Sequence, residues 1–371
     1  MKLITLQKNL RQAVFSVNHV TSKNTALPIL NNIMISAKGG SCSLVSTNLE
    51  IGITSILRCK VEEEGSYTVD AKLLSEYVVL MDNDKVEIKQ DGDELIISCG
   101  QAKTKIKGTS SEEFPFIPEI KKENEIKINP QEFSQAIDQV IFATAQNENK
   151  PELSGVLMVI DEKNITLVGT DSYRLSERKV LINNKNKIST RLIIPTKTLQ
   201  EVVRIASLGQ SEEIKEVSLY INDNQCLFVI GEVEVVSRVI DGRYPEYSSI
   251  IPDKHLTKIE VSTKELIRLI KAASIFAKTN INDIILIVSK EKNTIAISST
   301  SGQLGEFEAS LEGVVNGEDN DITLNYRYLI DVLNSITTEG VSLSVVNKDT
   351  PCVIREVGGS EYTHLIMPIR K

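Results

Sequence analysis

The stretches KLITLQKNLRQAVFSV (residues 2–17), EIKINPQEFSQAIDQV (125–140) and KIEVSTKELIRLIKAA (258–273) share one pattern, and that pattern decides the fold. Each reads as a short strand running into a helix whose apolar residues recur at three- and four-residue spacing. Leu3, Leu10, Val14 and Val17 take the same offsets as Ile126, Phe133, Ile137 and Val140, and as Ile259, Leu266, Ile270 and Ala273. A period of roughly 125–130 residues is longer than that of solenoid repeats and matches a domain. Two copies mark their helix start. Asn129 can cap with Pro130 at the first helical position and Glu132 completing a box, and Ser262 with Glu265 forms another. The first copy carries no such signature.

A second strand-to-helix unit repeats in YTVDAKLLSEYVVLM (67–81), RLIIPTKTLQEVVRIA (191–206) and DITLNYRYLIDVLNSI (321–336). Leu74, Leu199 and Leu329 correspond, as do Val78, Val203 and Leu333. A basic residue (Lys72, Lys197, Arg327) precedes an acid by four positions (Glu76, Glu201, Asp331) in each copy. The row reads either as i,i+4 ion pairs or as a functional basic position. Most of the remainder alternates like strands, with DKVEIKQDGDELIISCG (84–100) folding about an Asp-Gly turn and counterparts at 217–231 and 341–357. The expected class is α+β, three tandem copies of two helices plus antiparallel strands. The parallel phrases GTSSEEFPFIPEI (108–120) and DGRYPEYSSIIPDK (241–254) close the first two copies, giving expected domains 1–122, 123–252 and 253–371.

Composition bounds the function. With 371 residues, 41% apolar and 25% charged, the chain suits two or three folded domains. MKLITLQKNLRQ lacks the apolar core of a signal peptide and no later run approaches membrane-spanning length, so a soluble cytoplasmic protein is expected. Five scattered cysteines and three scattered histidines predict neither a disulfide scaffold nor a metal site, and no cofactor is expected. A net charge of −8 counts against a tight, charge-driven nucleic-acid binder, although one face can differ from the whole. The helix segments are together less acidic than the strands and loops, so helices facing one common space would make it mildly positive.

Residues 169–177, GTDSYRLSE, bring acid, hydroxyl and guanidinium together, as a catalytic site, a phosphate clamp, a peptide pocket or a hairpin tip would. Aligning VSTNLEIGI (45–53), VGTDSYRLSE (168–177) and SSTSGQLGE (298–306) superposes Thr47, Thr170 and Thr300. The shared Thr reads as a turn residue satisfying local backbone groups. Tyr173, Arg174 and Leu175 belong to the middle copy alone. As a nucleophile Ser172 would need a base, and no histidine lies near it in sequence; G-x-S-x-G, S-x-x-K, Walker A, dinucleotide and H-E-x-x-H motifs are missing. The expectation is a non-catalytic scaffold or binding protein. Its rivals are an enzyme using this cluster and a repeat-built adhesive or structural protein.

The threefold repeat, LPIL at 27–30, GTDSYRL, DGRYPEY at 241–247 and the terminal LIMPIRK together resemble the bacterial sliding clamps, the β subunits of DNA polymerase III. The resemblance covers the whole chain. It implies three DNA-clamp domains in a head-to-tail homodimeric ring, helices lining the hole and double-stranded DNA encircled without sequence readout. It implies contact between copies near Thr104 and Ile106 on one side and Ile275 and Phe276 on the other. DNA-facing positions by the same match are Lys72, Lys150 and Lys197, with Lys23 and Lys278 added from their place near helix ends, while Arg327 reads as an ion pair. It implies no catalysis, and a pocket for short linear peptides rich in Gln, Leu and Phe, used by the clamp loader, the polymerase III catalytic subunit, other polymerases, and mismatch-repair and ligase-type clients. Carried over, that pocket comprises Leu153, Thr170, Ser172, Tyr173, Arg174, Leu175, Pro245, Ser249, Ile250, Leu365, Met367, Pro368, Ile369 and Arg370. Leu175, Ile250 and Met367 are expected as walls and Arg174 as an orienting group. The chain departs from the pattern at Ser172-Tyr173, where Gly-His is common, at Ser249, where arginine is frequent, and at the final Lys371, where some clamps end in an apolar residue.

Overall fold

The computed structural model describes residues 1–21, 26–82, 84–146, 150–208, 214–222, 224–278, 280–359 and 361–370. Among them are six α-helices, two per repeat: α1 (Gln7–Val17), α2 (Ala71–Leu80), α3 (Pro130–Ile141), α4 (Thr196–Leu208), α5 (Thr263–Ser274) and α6 (Tyr326–Ser335). The chain forms two compact units, Met1–Ser134 with Ile182–Ile188 and Lys197–Val239, and Gln135–Leu181 with Ser189–Thr196 and Ile240–Lys371. The middle repeat contributes to both.

The aligned apolar positions are the cores. Leu3, Leu10, Val14 and Val17, and their counterparts in the other copies, are all buried. Each fully buried Leu or Ile contributes about 1.5–3 kcal/mol relative to leaving it in water, so the repeating stripe is enough to seat a helix on its sheet. Leu74, Leu199 and Leu329 are likewise buried. In α4, however, Val203 is only half-buried and Val202 is the core residue, a small rotation of the stripe relative to Val78 and Leu333.

Caps follow the sequence where it carried them. Asn129 Oδ1 accepts from the N–H groups of Gln131 and Glu132 at 3.0 Å, and Ser262 accepts from Glu265. α1 starts without a side-chain cap. Instead Gln7 donates its backbone N–H to the Asp84 carbonyl, which satisfies that orphan donor from across the fold, and its side-chain amide to the carbonyl of Val78 on α2. Asp70 and Asn325 cap α2 and α6.

In the first unit, strand Ile51–Leu57 pairs antiparallel with Val233–Arg238, Ser55 opposite Val233 and Ile51 opposite Ser237. In the second, Arg174–Asn183 pairs in the same way with Tyr362–Ile366, Arg174 opposite Ile366 and Arg178 opposite Tyr362. Each unit thus carries one ladder joining successive repeats. Strand Ala102–Ser110 follows Glu94–Cys99 at the end of one run of strands, and Gly305–Glu312 follows Thr294–Ser301 at the end of a four-stranded sheet.

The ends of the first helices are handled alike at one aligned position. Ser46 donates to the Val17 carbonyl at 2.5 Å and Ser299 to that of Ala273 at 2.6 Å. The middle copy has Gly169, where a Cβ would collide with the Val140 carbonyl. The hydroxyl bond of two copies becomes direct backbone approach in the third.

Candidate functional site

Thr170 organises the turn that opens the site. Its hydroxyl donates to the Arg174 carbonyl at 2.6 Å and accepts from the Ser172 N–H at 3.2 Å. Asp171 Oδ1 accepts from the N–H groups of Tyr173 and Arg174 at 2.9 and 3.0 Å. Thr47 and Asn48 repeat this arrangement around Leu49, and Leu49 and Ser172 both take left-handed φ, 77° and 79°. The shared Thr is a turn residue in these two copies. In the third the parallel stops, because Thr300 lies in a ladder opposite Glu306.

Arg174 turns inward. Nε donates to Asp171 at 3.0 Å, Nη1 to Asp331 on α6 at 2.5 Å and Nη2 to the Phe142 carbonyl at 2.6 Å. The guanidinium lies 4.5 Å from the Tyr328 ring centroid and 5.5 Å from that of Phe142. Fork bonds and aromatic faces use the planar cation as lysine could not. Asp331 is therefore occupied by Arg174, which corrects the expected ion pair at Arg327. The aligned acids are used differently in each copy: Glu76 pairs with Lys72 at 3.7 Å on the surface, and Glu201 bonds Arg204 and His19.

Beneath the turn lies an apolar floor. Leu153, Leu175 and Leu365 are buried in one cluster with Leu157, Val168, Ile193, Tyr244 and Val353, against which Tyr247 and Ile251 pack. Leu175 faces Leu365 across the ladder and is buried in this floor, where the resemblance implied a wall. Tyr173, Ile250 and Met367 stand exposed at the surface, and so do Ser172, Pro245, Ser249 and Arg370. The Met367 N–H donates to the Tyr173 carbonyl at 2.8 Å and the Ile369 N–H to that of Thr323 at 2.9 Å, which fixes the tail through Met367, Pro368 and Ile369. Tyr244 donates to the Val168 carbonyl at 3.2 Å, and burial raises its phenol above the ordinary range.

Sequence reasoning missed one partner. His364 is fully buried, its Nδ1 2.6 Å from Ser176 Oγ and its ring 5.5 Å from that of Phe142. Burial, with a smaller contribution from Arg174, pushes it down to about 3. Ser176 is sealed as well, so this hydroxyl–imidazole pair is a core hydrogen bond. Only pairing across the ladder brings the two residues together, a signal that spacing along the chain does not carry.

The remaining expected positions are dispersed. Lys72, Lys150, Lys197 and Lys278 are exposed, and Lys23 lies outside the described residues, as does Lys371. Ile106 is buried opposite Leu95 and Thr104 lies opposite Ile97. Ile275 is exposed, and Phe276 stacks on Phe307 with centroids 6.3 Å apart. Among the described residues no group of three or more His, Cys, Asp or Glu could hold a metal ion, and no helix is long and apolar enough to cross a membrane.

Comparison with known proteins gives one answer along the chain. Residues 1–118, 127–246 and 248–370 match the N-terminal, central and C-terminal domains of the DNA polymerase III beta subunit. The chain is 30% identical over 377 residues to the beta sliding clamp of Bacillus subtilis, covering 99% of each. Among solved structures it is similar to a DNA polymerase III beta subunit from Eubacterium rectale, with a TM-score of 0.91 and 30% identity, covering 100% of this chain and 99% of the other. A DNA polymerase sliding clamp from Bacillus subtilis gives 0.92 and 28%, again over 100% and 99%.

Proposed function

The chain belongs to the DNA polymerase III β-subunit family, the DNA sliding clamps of replication, and from that premise we propose that two copies close head to tail around duplex DNA and hold client proteins through the surface at Tyr173, Ile250 and Met367. The family's members are processivity factors, and this chain catalyses nothing itself. It works in the cytoplasm as domains 1–122, 123–252 and 253–371.

The peptide reading is supported by three exposed apolar side chains standing over a buried apolar floor, with the turn and the tail tied by backbone bonds. Burial of a guest's apolar side chains supplies affinity there, and neighbouring backbone groups set its direction. The clients are the clamp loader, the polymerase III catalytic subunit, other polymerases, and repair and ligase-type proteins, each bringing a short linear peptide. Arg174 holds the turn in shape from below.

Ring closure is supported by the two terminal strands. Lys103, Lys105 and Lys107 project from Ala102–Ser110, and Glu306, Glu308 and Glu312 from Gly305–Glu312, all exposed and at alternate or near-alternate positions. One edge is basic and the other acidic, so basic meets acidic only when the copies run head to tail. Lys72, Lys150, Lys197 and Lys278 face the DNA and touch phosphate without reading bases. The deciding experiment measures solution mass together with retention on circular and linearised DNA after loading. A dimer retained on circles and lost from linear ends is expected; a monomer, or equal loss from both forms, refutes the ring.

A further inference from the structure

The two joins between successive repeats match strand for strand. At the first, Gly52 lies opposite Val236 and Val236 opposite Leu227. At the second, Leu175 lies opposite Leu365 and Leu365 opposite Val353. In the neighbouring hairpins Met34 faces Val45 as Leu157 faces Val168. Phe114-Pro115 closes the first repeat as Tyr244-Pro245 closes the second, and both rings are buried. The apolar floor beneath Tyr173 and Met367 therefore has a counterpart, in the same register, within the first unit.

One exchange changes its shape. Gly52 stands where Leu175 stands, and Ile117 of the connector leans over it, 2.8 Å from the place a Cβ would take. Between connector and sheet opens a cavity of about 750 Å³, lined by Met34, Val45, Phe114, Leu227 and Val236 among others. That volume and an apolar lining suit a guest's side chains. Two further features select the guest. Pro115 and Pro118 keep the residues before them extended, and among the described residues Phe116, Ile117, Glu119 and Ile120 make no backbone hydrogen bond. The connector thus offers a main-chain edge to a second extended chain, with Phe116, 83% exposed, as a side chain for it to cover. The charge is acidic: Glu119 and Glu234 line the cavity against Lys122 alone, which is tied to Glu234 at 2.6 Å, and Glu112 and Glu113 are exposed just before the connector.

We propose that this cavity is a second peptide-binding site in each chain. It takes a short extended peptide that places one Phe or Leu between the connector and the sheet and carries Lys or Arg on either side. The apolar side chain supplies affinity by burial, and the acidic rim selects its basic neighbours. The inference rests on the peptide reading of the second join, whose floor is repeated here, and adds a separate guest at the first. A chain with both sites holds two unlike peptides at once.

The test titrates the full-length chain with a fluorescein-labelled Lys-Lys-Phe-Leu-Lys-Lys peptide, read by anisotropy, and with a Gln/Leu/Phe peptide as reference. Tyr173→Ala/Met367→Ala should weaken the reference and leave the basic peptide bound, one per chain. Thr54→Trp, which puts a ring into the cavity, is expected to weaken the basic peptide by roughly tenfold or more. Glu119→Lys, on the exposed connector and so harmless to folding, should weaken it by about threefold at low salt and not at high salt. Neither should move the reference. With benzoylphenylalanine in place of Phe, the crosslink should fall within residues 114–122 or 225–238. Basic-peptide binding that is lost in Tyr173→Ala/Met367→Ala, unmoved by both cavity variants, or crosslinked elsewhere overturns the inference and leaves the second join's site standing. Binding that falls as the chain is concentrated gives the cavity to a second copy and overturns it too. If neither peptide binds, both readings fall.

Discussion

The backbone N–H of Met367 donates to the carbonyl of Tyr173 at 2.8 Å, so the tail and the middle-repeat turn are bound through main chain while both side chains stay at the surface. Tyr173→Ala and Met367→Ala should therefore leave the melting temperature nearly unchanged. Each should weaken binding of a synthetic Gln/Leu/Phe peptide by roughly tenfold, as loss of an apolar anchor does. Calorimetric titration checks this, and wild-type affinity in both variants would remove the site.

Arg174→Ala should act on stability first. It takes from Asp171 its charged partner while leaving its backbone donors, deprives the Phe142 carbonyl of the guanidinium donor and removes two aromatic contacts. Since Asp331 is itself partly solvated, a loss of about 2–3 kcal/mol is expected, below the range for a fully buried pair. Arg174→Lys should recover only part, because an ammonium cannot span three acceptors. Urea denaturation of the three proteins gives the ranking.

Ser172 takes φ of 79°, a left-handed conformation that costs a residue with a Cβ about 1–2 kcal/mol. Glycine removes that cost and returns roughly 0.5–1 kcal/mol through the entropy of the unfolded chain. Ser172→Gly should thus be neutral to stabilising by about 1 kcal/mol. A lower melting temperature would mean that the hydroxyl does something the geometry does not reveal.

His364 is neutral when folded, at about 3, against an ordinary value of 6.5. A depressed folded value means that the unfolded chain takes up the proton first. The associated stability is complete above about pH 6.5 and drains as pH falls toward about 3, at up to about 1.4 kcal/mol per pH unit. Between pH 7 and 5 the loss should be roughly 2 kcal/mol, above the range where most carboxylates titrate. His364→Gln should flatten that segment of the stability curve, even if its absolute stability is lower.

Reversing Lys103, Lys105 and Lys107 to Glu should weaken the dimer most at low salt. Reversing Glu306, Glu308 and Glu312 to Lys in the same chain should restore it, since the edges would again be opposite in sign. Sedimentation in low and high salt reads both effects. A triple reversal without effect at low salt would place the strand edges outside the interface.

The repeat was legible because helix and strand periods survive wherever a face is buried: Leu10, Phe133 and Leu266 share an offset and a core role. Two caps were legible for the same reason, being local. The start of α1 was not, because its first N–H is met by Asp84 and the Gln7 side chain by Val78, both from distant segments. The turn at Thr170 could be read from its sister copy, yet the destination of the Arg174 guanidinium could not. Its partners Phe142 and Asp331 are separated from it by 32 and 157 positions, and the i,i+4 rule pointed Asp331 at Arg327. The resemblance implied a wall at Leu175, and its buried place in the floor could not be read from the sequence because its cross-strand neighbour, Leu365, is 190 positions away.

Arg174 grips the end of one helix and the flank of another while its own backbone carries Tyr173's neighbour in the turn. One guanidinium therefore fastens the turn to the Phe142 carbonyl and to Asp331 together, so the backbone that carries the Tyr173 ring and the two helical segments behind it share a single pin.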